Sequence, residues 1–193
     1  MTDSPFSSAF SAPFCEGETI AAQVDGFDLV ARLAVDDGAG APWENEDGHG
    51  DVTGWTSRDK RPGERVLCEE RGRSRRFYDF AGAVRRARAE GWGTEGDEGL
   101  TPGQKAARAA EADFRHLKGW ANDEWHYWGV IISVRRGGVI LDDWAASLWG
   151  IEAQGDEGAA YLTETAAELV AEALEAGRAK LEAINAPAAA PAV

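Results

Sequence analysis

The sequence predicts an α+β fold, an antiparallel sheet built from hairpins with about three helices packed on it, and three observations carry this. Apolar and polar residues alternate on either side of short turn signals such as Asp25-Gly26 and Gly137-Gly138. The strand patterns come as adjacent pairs and not singly between helices, which argues against a doubly wound parallel sheet. Three longer segments instead space their apolar residues for one face of a helix.

Residues 1–17 are rich in Ser, Ala, Pro and Phe without a period, and read as a flexible arm that tucks one or two Phe onto the domain. Thr19 to Val24 reads as a strand, Asp25-Gly26 as a two-residue turn that tolerates positive φ, and Phe27, Leu29, Ala31, Leu33 and Val35 as the buried side of the return strand. The stretch 36–64 has no regular period and is broken by Pro42 and Pro62. Structureless loops of such length are usually functional or disordered. Arg65 to Glu69 and Arg75 to Tyr78 form a second hairpin.

Asp79 is placed to cap a helix running to about Glu90, with Phe80, Ala83, Val84 and Ala87 on one face and Gly91 in the left-handed position behind it. Thr101-Pro102-Gly103-Gln104 is a capping box with Pro at the first helical position. Ala107, Ala110, Phe114 and Leu117 form that helix's buried stripe. Trp125 to Val134 reads as the central strand, turned by Gly137-Gly138 into Val139 to Leu141, with Ser147 to Ile151 a further short strand. The last helix runs from about Gly158 to Ile184 on Leu162, Ala166, Leu169, Ala173, Leu181 and Ile184. The expected organisation is an arm over 1–17, one domain over 18–185 and a disordered Ala/Pro tail over 186–193.

A chain of 193 residues buries enough surface to need no disulfide or metal staple. Cys15 and Cys68 lie at no metal-ligand spacing and fit a reducing compartment. There is no basic and apolar leader and no run of about 18 apolar residues, so a cytoplasmic protein without a membrane span is expected. The formal net charge is −14 and unevenly placed. From Arg58 to Glu90 there are 11 Lys+Arg against 6 Asp+Glu, a net of +5, and the remainder carries 9 against 28, a net of −19. Such a body repels nucleic acid at long range and attracts basic surfaces.

The chain has no P-loop, no GxSxG elbow and no HExxH, and the run from Gly91 to Gly96 follows a helix with the wrong glycine spacing for a dinucleotide fold. No catalytic residue is assigned and no cofactor is expected. Four segments remain as candidates. Glu44, Glu46, Asp47 and Asp51 in the loop, with Glu164, Glu168, Glu172 and Glu175 along the last helix, form an acidic surface for a protein partner. A row of this kind imitates a phosphate backbone; the plainer alternative is a solvated helix face. Asp47, His49 and Asp51 are the candidate ligands of a divalent metal, against a simple exposed loop. Arg71, Arg73, Arg75 and Arg76 are the candidate nucleic-acid contact, against pairing with the acidic body. Asp123, Glu124 and His126 hold the residue types of an acid/base pair, against the edge of an aromatic core strand.

Six short strings carry a family likeness: Asp47-Gly48-His49-Gly50, Arg61-Pro62-Gly63-Glu64, Arg76-Phe77-Tyr78-Asp79, Gly91-Trp92-Gly93, Asn122 to Tyr127 and Ser147 to Glu152. Over about residues 20–180 the chain resembles small uncharacterised accessory proteins of tailed bacteriophages and prophages. The resemblance implies a context, a phage or mobile-element product made inside a bacterium, and no activity or site residue. The expected function is binding and inhibition of a host protein with a basic surface, in antidefence or host takeover, as an anti-CRISPR-like inhibitor would act. The alternative is a small nucleic-acid-binding or processing protein using the Arg hairpin, with a metal at the 42–55 loop.

Overall fold

The computed structural model describes residues 4–45, 48–70, 74–92 and 98–186. In chain order its elements are β1 (Thr19–Val24), β2 (Phe27–Val35), α1 (Pro42–Asn45), β3 (Glu64–Glu69), β4 (Arg75–Asp79), α2 (Phe80–Glu90), α3 (Pro102–Ala121), β5 (Tyr127–Arg136), β6 (Val139–Glu152), α4 (Gly155–Glu168) and α5 (Val170–Asn185). The fold is α+β, and all strand pairs are antiparallel. The described residues gather into two compact units. One comprises residues up to Gly38 with those from His126 on; the other is Ala39–Trp125.

The first unit is a four-stranded sheet in the order β1-β2-β5-β6, with α4 and α5 against it. Asp25 and Gly26 adopt φ of 54° and 76°, the left-handed pair that a tight hairpin needs, and Val24 faces Phe27 across it. Phe27, Leu29, Ala31 and Leu33 of β2 point into a core shared with Val130, Ile132 and Val134 of β5 and with Leu162, Ala166, Val170, Ala173 and Leu174 of the helices. The arm is not loose in its described part. Phe6 and Phe10 are buried in this core, Phe6 bridges Ala22, and the Phe10 N–H donates to Thr163 Oγ1 at 3.1 Å.

Two elements differ from expectation. β6 is one strand of 14 residues, not two short ones. Register shifts against β5 absorb the residues that break the alternation, which is what bulges do. Its edge position also leaves Trp144 and Trp149 partly exposed, stacked on each other at 5.9 Å. The last helix is interrupted at Leu169, yet Leu169 N–H still donates to Thr165 O and Ala173 N–H to Leu169 O, so the backbone ladder runs through the break.

The second unit packs the β3–β4 hairpin with α2 and α3 around Leu67, Tyr78, Ala83, Ala110, Phe114 and Leu117. Both predicted caps form. Asp79 accepts from Gly82 N–H at 2.8 Å, and Thr101 and Gln104 make the reciprocal capping box. Gly91 takes φ of 74°, and Trp92 N–H closes on Ala87 O. The aperiodic stretch after β2 contains α1 and two isolated bridges, Val52 with Tyr78 and Thr56 with Arg75.

Gly177 marks the tightest approach of α5 to the sheet: a Cβ there would lie 2.6 Å from Val134 Cγ1. Alanine favours a helix over glycine by about 1 kcal/mol, but Val134 is fully buried and β-branched and cannot yield. Gly177→Ala is therefore expected to lower stability by about 1–3 kcal/mol, read as a shift in urea midpoint at constant m-value.

Candidate functional site

The net negative charge of the chain is concentrated in one unit. Ala39–Trp125 holds 15 Lys+Arg and 17 Asp+Glu, a net of −2, which leaves 5 against 17, a net of −12, in the remaining sequence. Helical periodicity then sorts these charges. Leu162, Ala166, Val170, Ala173 and Leu174 are buried on the sheet, so the opposite sides of α4 and α5 face solvent. Glu157, Tyr161, Glu164 and Glu168 share one stripe of α4, spaced by three or four residues, and Glu172, Glu175 and Glu182 share one of α5. All seven are exposed, and none of the six glutamates has an ion pair among the described residues. The two cations of α5 are used elsewhere: Arg178 binds Asp25 at 2.5 Å and Lys180 reaches Asp142 at 3.5 Å. The result is a row of like charges spaced about 5 to 10 Å along each helix, given a rise of 1.5 Å per residue. Tyr161 is the one large ring within it, 53% exposed.

The other acidic candidates do not extend this row. Glu44 and Asp51 belong to the second unit, where Glu44 pairs with Arg76 at 3.3 Å and Asp51 with Arg86 at 3.6 Å. Glu46 and Asp47 lie outside the described residues. Of the Arg set, Arg75 is held by Glu69 at 2.5 Å, and Arg76 is held by Glu44 with its guanidinium over the rings of Trp55 (5.2 Å) and Trp43 (5.6 Å). These two arginines are matched within the protein; Arg71 and Arg73 lie outside the described residues.

His49 and Asp51 do not come together as ligands. His49 Nδ1 is 2.6 Å from Asp113 Oδ1, whereas Asp51 is open to solvent beside Arg86. No group of three or more His, Cys, Asp or Glu forms a metal site among the described residues, and Asp47 is not among them. His126 is half-buried beside Trp128, and Asp123 and Glu124 sit in the turn after α3, with Glu124 accepting from the Asn122 amide.

No spacing or motif points to the network that His49 enters. Asp113, on the inner face of α3, accepts from His49 Nδ1 (2.6 Å), Gly50 N–H (2.8 Å) and the Tyr78 hydroxyl (2.6 Å). No side chain fits at Gly50, where a Cβ would fall 2.6 Å from the Tyr78 ring. Behind it the His49 ring stacks on His116 (5.8 Å), and His116 on Trp125 (4.4 Å). Burial opposes ionisation of Asp113, but the hydrogen bonds from His49, Tyr78 and Gly50 outweigh it and hold the carboxyl below its usual range. Burial, with Asp113 beside it, pushes the Tyr78 phenol well above its usual range, so it stays a donor. A His–Asp pair of this geometry can orient an imidazole for proton transfer. The bonds to His49 and Gly50 also fasten the 48–51 loop onto α3.

No family model, no curated protein and no solved structure matches the chain. Among the described residues no helix is long and apolar enough to cross a membrane.

Asp113→Asn keeps the shape but removes the charge that three donors share, and is expected to cost about 1–3 kcal/mol at neutral pH. Because the folded carboxyl titrates below its unfolded value of about 3.9, this stability is present above that pH and lost as pH falls through the folded value. The gap between wild type and Asp113→Asn in chemical denaturation should therefore narrow between about pH 5 and pH 3. A constant gap would contradict a charged role for Asp113.

Proposed function

We propose that the protein is a binding protein that occupies the basic surface of another protein through the α4–α5 face, and that the setting is that of a phage or mobile-element accessory product acting on a host protein. The observation that carries this reading is the row of six glutamates without ion pairs among the described residues, in sequence that holds 12 of the 14 excess negative charges. A single-signed, ordered row on rigid helices attracts a complementary basic patch and speeds encounter with it. It also repels DNA and RNA, so a partner whose own site binds nucleic acid would be blocked by competition. Tyr161 supplies the kind of ring that anchors interfaces, since tyrosine brings area at little entropic cost.

Nothing in the described geometry favours the nucleic-acid reading over this one. Arg75 and Arg76 are each matched by a carboxylate of the same unit, and the charge of the chain opposes approach to phosphates.

The test is capture of bacterial lysate proteins on immobilised protein and on the variant Glu164→Gln, Glu168→Gln, Glu172→Gln, Glu175→Gln, all of them exposed positions. The reading expects a stoichiometric partner whose retention falls at least about tenfold with the variant, weakens with salt, and is competed by duplex DNA. Equal retention by the variant, or no partner at low salt, would count against it.

A further inference from the structure

The second unit contains a cavity of about 420 Å³ that the acidic-face reading does not use. Three indoles are among its walls, Trp43 from α1, Trp55 from the loop behind it and Trp120 from the end of α3, with Trp43 and Trp120 edge to face at 5.2 Å. Its rim carries Glu44, Glu69 and Glu70 against one guanidinium, that of Arg76. Counting Arg75, which holds Glu69, the rim is still negative among the described residues. Glu70 is exposed and has no ion pair among the described residues. The volume lies in the range of small-ligand sites.

The protein already shows what these walls attract. The Arg76 guanidinium lies over both Trp43 and Trp55, with Glu44 at its edge. Indole faces draw cations through the ring quadrupole, and indole is the strongest of the aromatic side chains in this. An anion such as a nucleotide would gain stacking but meet the Glu70 carboxylate, which no cation among the described residues offsets, so charge selects against it.

We propose that this cavity is a seat for an organic cation, a guanidinium or alkylammonium group, entering beside Arg76 and held by the indole faces and the Glu70 carboxylate. Arg76 forms one wall of the seat and keeps Trp43 and Trp55 in place. The seat is independent of the α4–α5 face, and either can fail without the other.

The experiment follows the indole N–H resonances in proton–nitrogen correlation spectra of the full chain, assigned by single Trp→Phe variants. The probes are tetramethylammonium chloride, N-acetyl-arginine amide and adenosine monophosphate. The two cations are expected to give saturable shifts at Trp43, Trp55 and Trp120 with millimolar affinity, and the nucleotide none. Trp55→Ala, at a position about half exposed, and Glu70→Gln, on the surface, should each weaken binding by about threefold to tenfold. Circular dichroism checks that both variants fold. Cys68 also lines the cavity, so an occupied seat should slow its alkylation while leaving that of Cys15 unchanged. Tighter binding of the arginine amide assigns a protein side chain as the source of the cation; tighter binding of tetramethylammonium assigns a small quaternary amine. Either outcome supports the seat. It is overturned if neither cation gives saturable shifts up to about 50 mM, if both variants bind as wild type does, or if the nucleotide moves the same three indoles.

Discussion

The one-sided burial of α4 and α5 is the constraint from which the surface chemistry of the first unit follows. The buried stripe is narrow and built largely of small residues, Ala166, Ala173 and Gly177 among them, which lets the helices sit close on Val130, Ile132 and Val134. A helix that commits so narrow a strip to the core must turn the rest of its circumference to water. In this chain that circumference carries six exposed glutamates. The only cations on α5, Arg178 and Lys180, are drawn to Asp25 and Asp142 of the sheet, so nothing on the helices offsets the row. Such self-repulsion weakens a compact state a little and is tolerated because exposed charges interact in water at high dielectric.

The second unit handles charge in the opposite manner. Its arginines and carboxylates nearly balance, and they meet in specific pairs: Arg58 with Glu64, Arg65 with Glu111, Arg75 with Glu69, Arg76 with Glu44. Several of these cations also lie over rings, as Arg58 does on Phe77 and Arg65 on Phe80. Exposed pairs contribute little each; their value here is that they fix side chains around aromatic walls. The Asp113 network does the same inside, where three donors on one carboxylate leave the 48–51 loop a single seating.

What the sequence reveals is what local chemistry dictates. The Asp25-Gly26 turn, the Asp79 cap, the Gly91 terminus and the Thr101–Gln104 box each depend on residues within a few positions, and each forms as read. The α+β class follows from the same local signals. Features set by distant contacts are not readable in this way. Leu169 looks like any other inward residue of one long helix, and β6 hides its continuity behind bulges whose position is set by β5. That the arm tucks one or two Phe onto the domain is readable from its composition, but which ones and where, Phe6 and Phe10 in the sheet core, is set by the core. The glutamate row of the candidate site is legible from spacing, because helix periodicity decides it. That it stands unpaired is not, since this depends on where Arg178 and Lys180 reach. The Trp43–Trp55–Trp120 cavity and the Asp113 network join residues dozens of positions apart, without a shared motif.

The central claim is that the α4–α5 glutamates form an uncompensated surface that meets basic groups. The most direct measurement is backbone amide shift mapping with a hexalysine peptide at low and high salt. The account predicts a coherent set of shifts over Glu157 to Glu182, centred on Glu164, Glu168, Glu172 and Glu175, that collapses in salt. Shifts scattered over the acidic residues of both units, with none concentrated on α4 and α5, would contradict it.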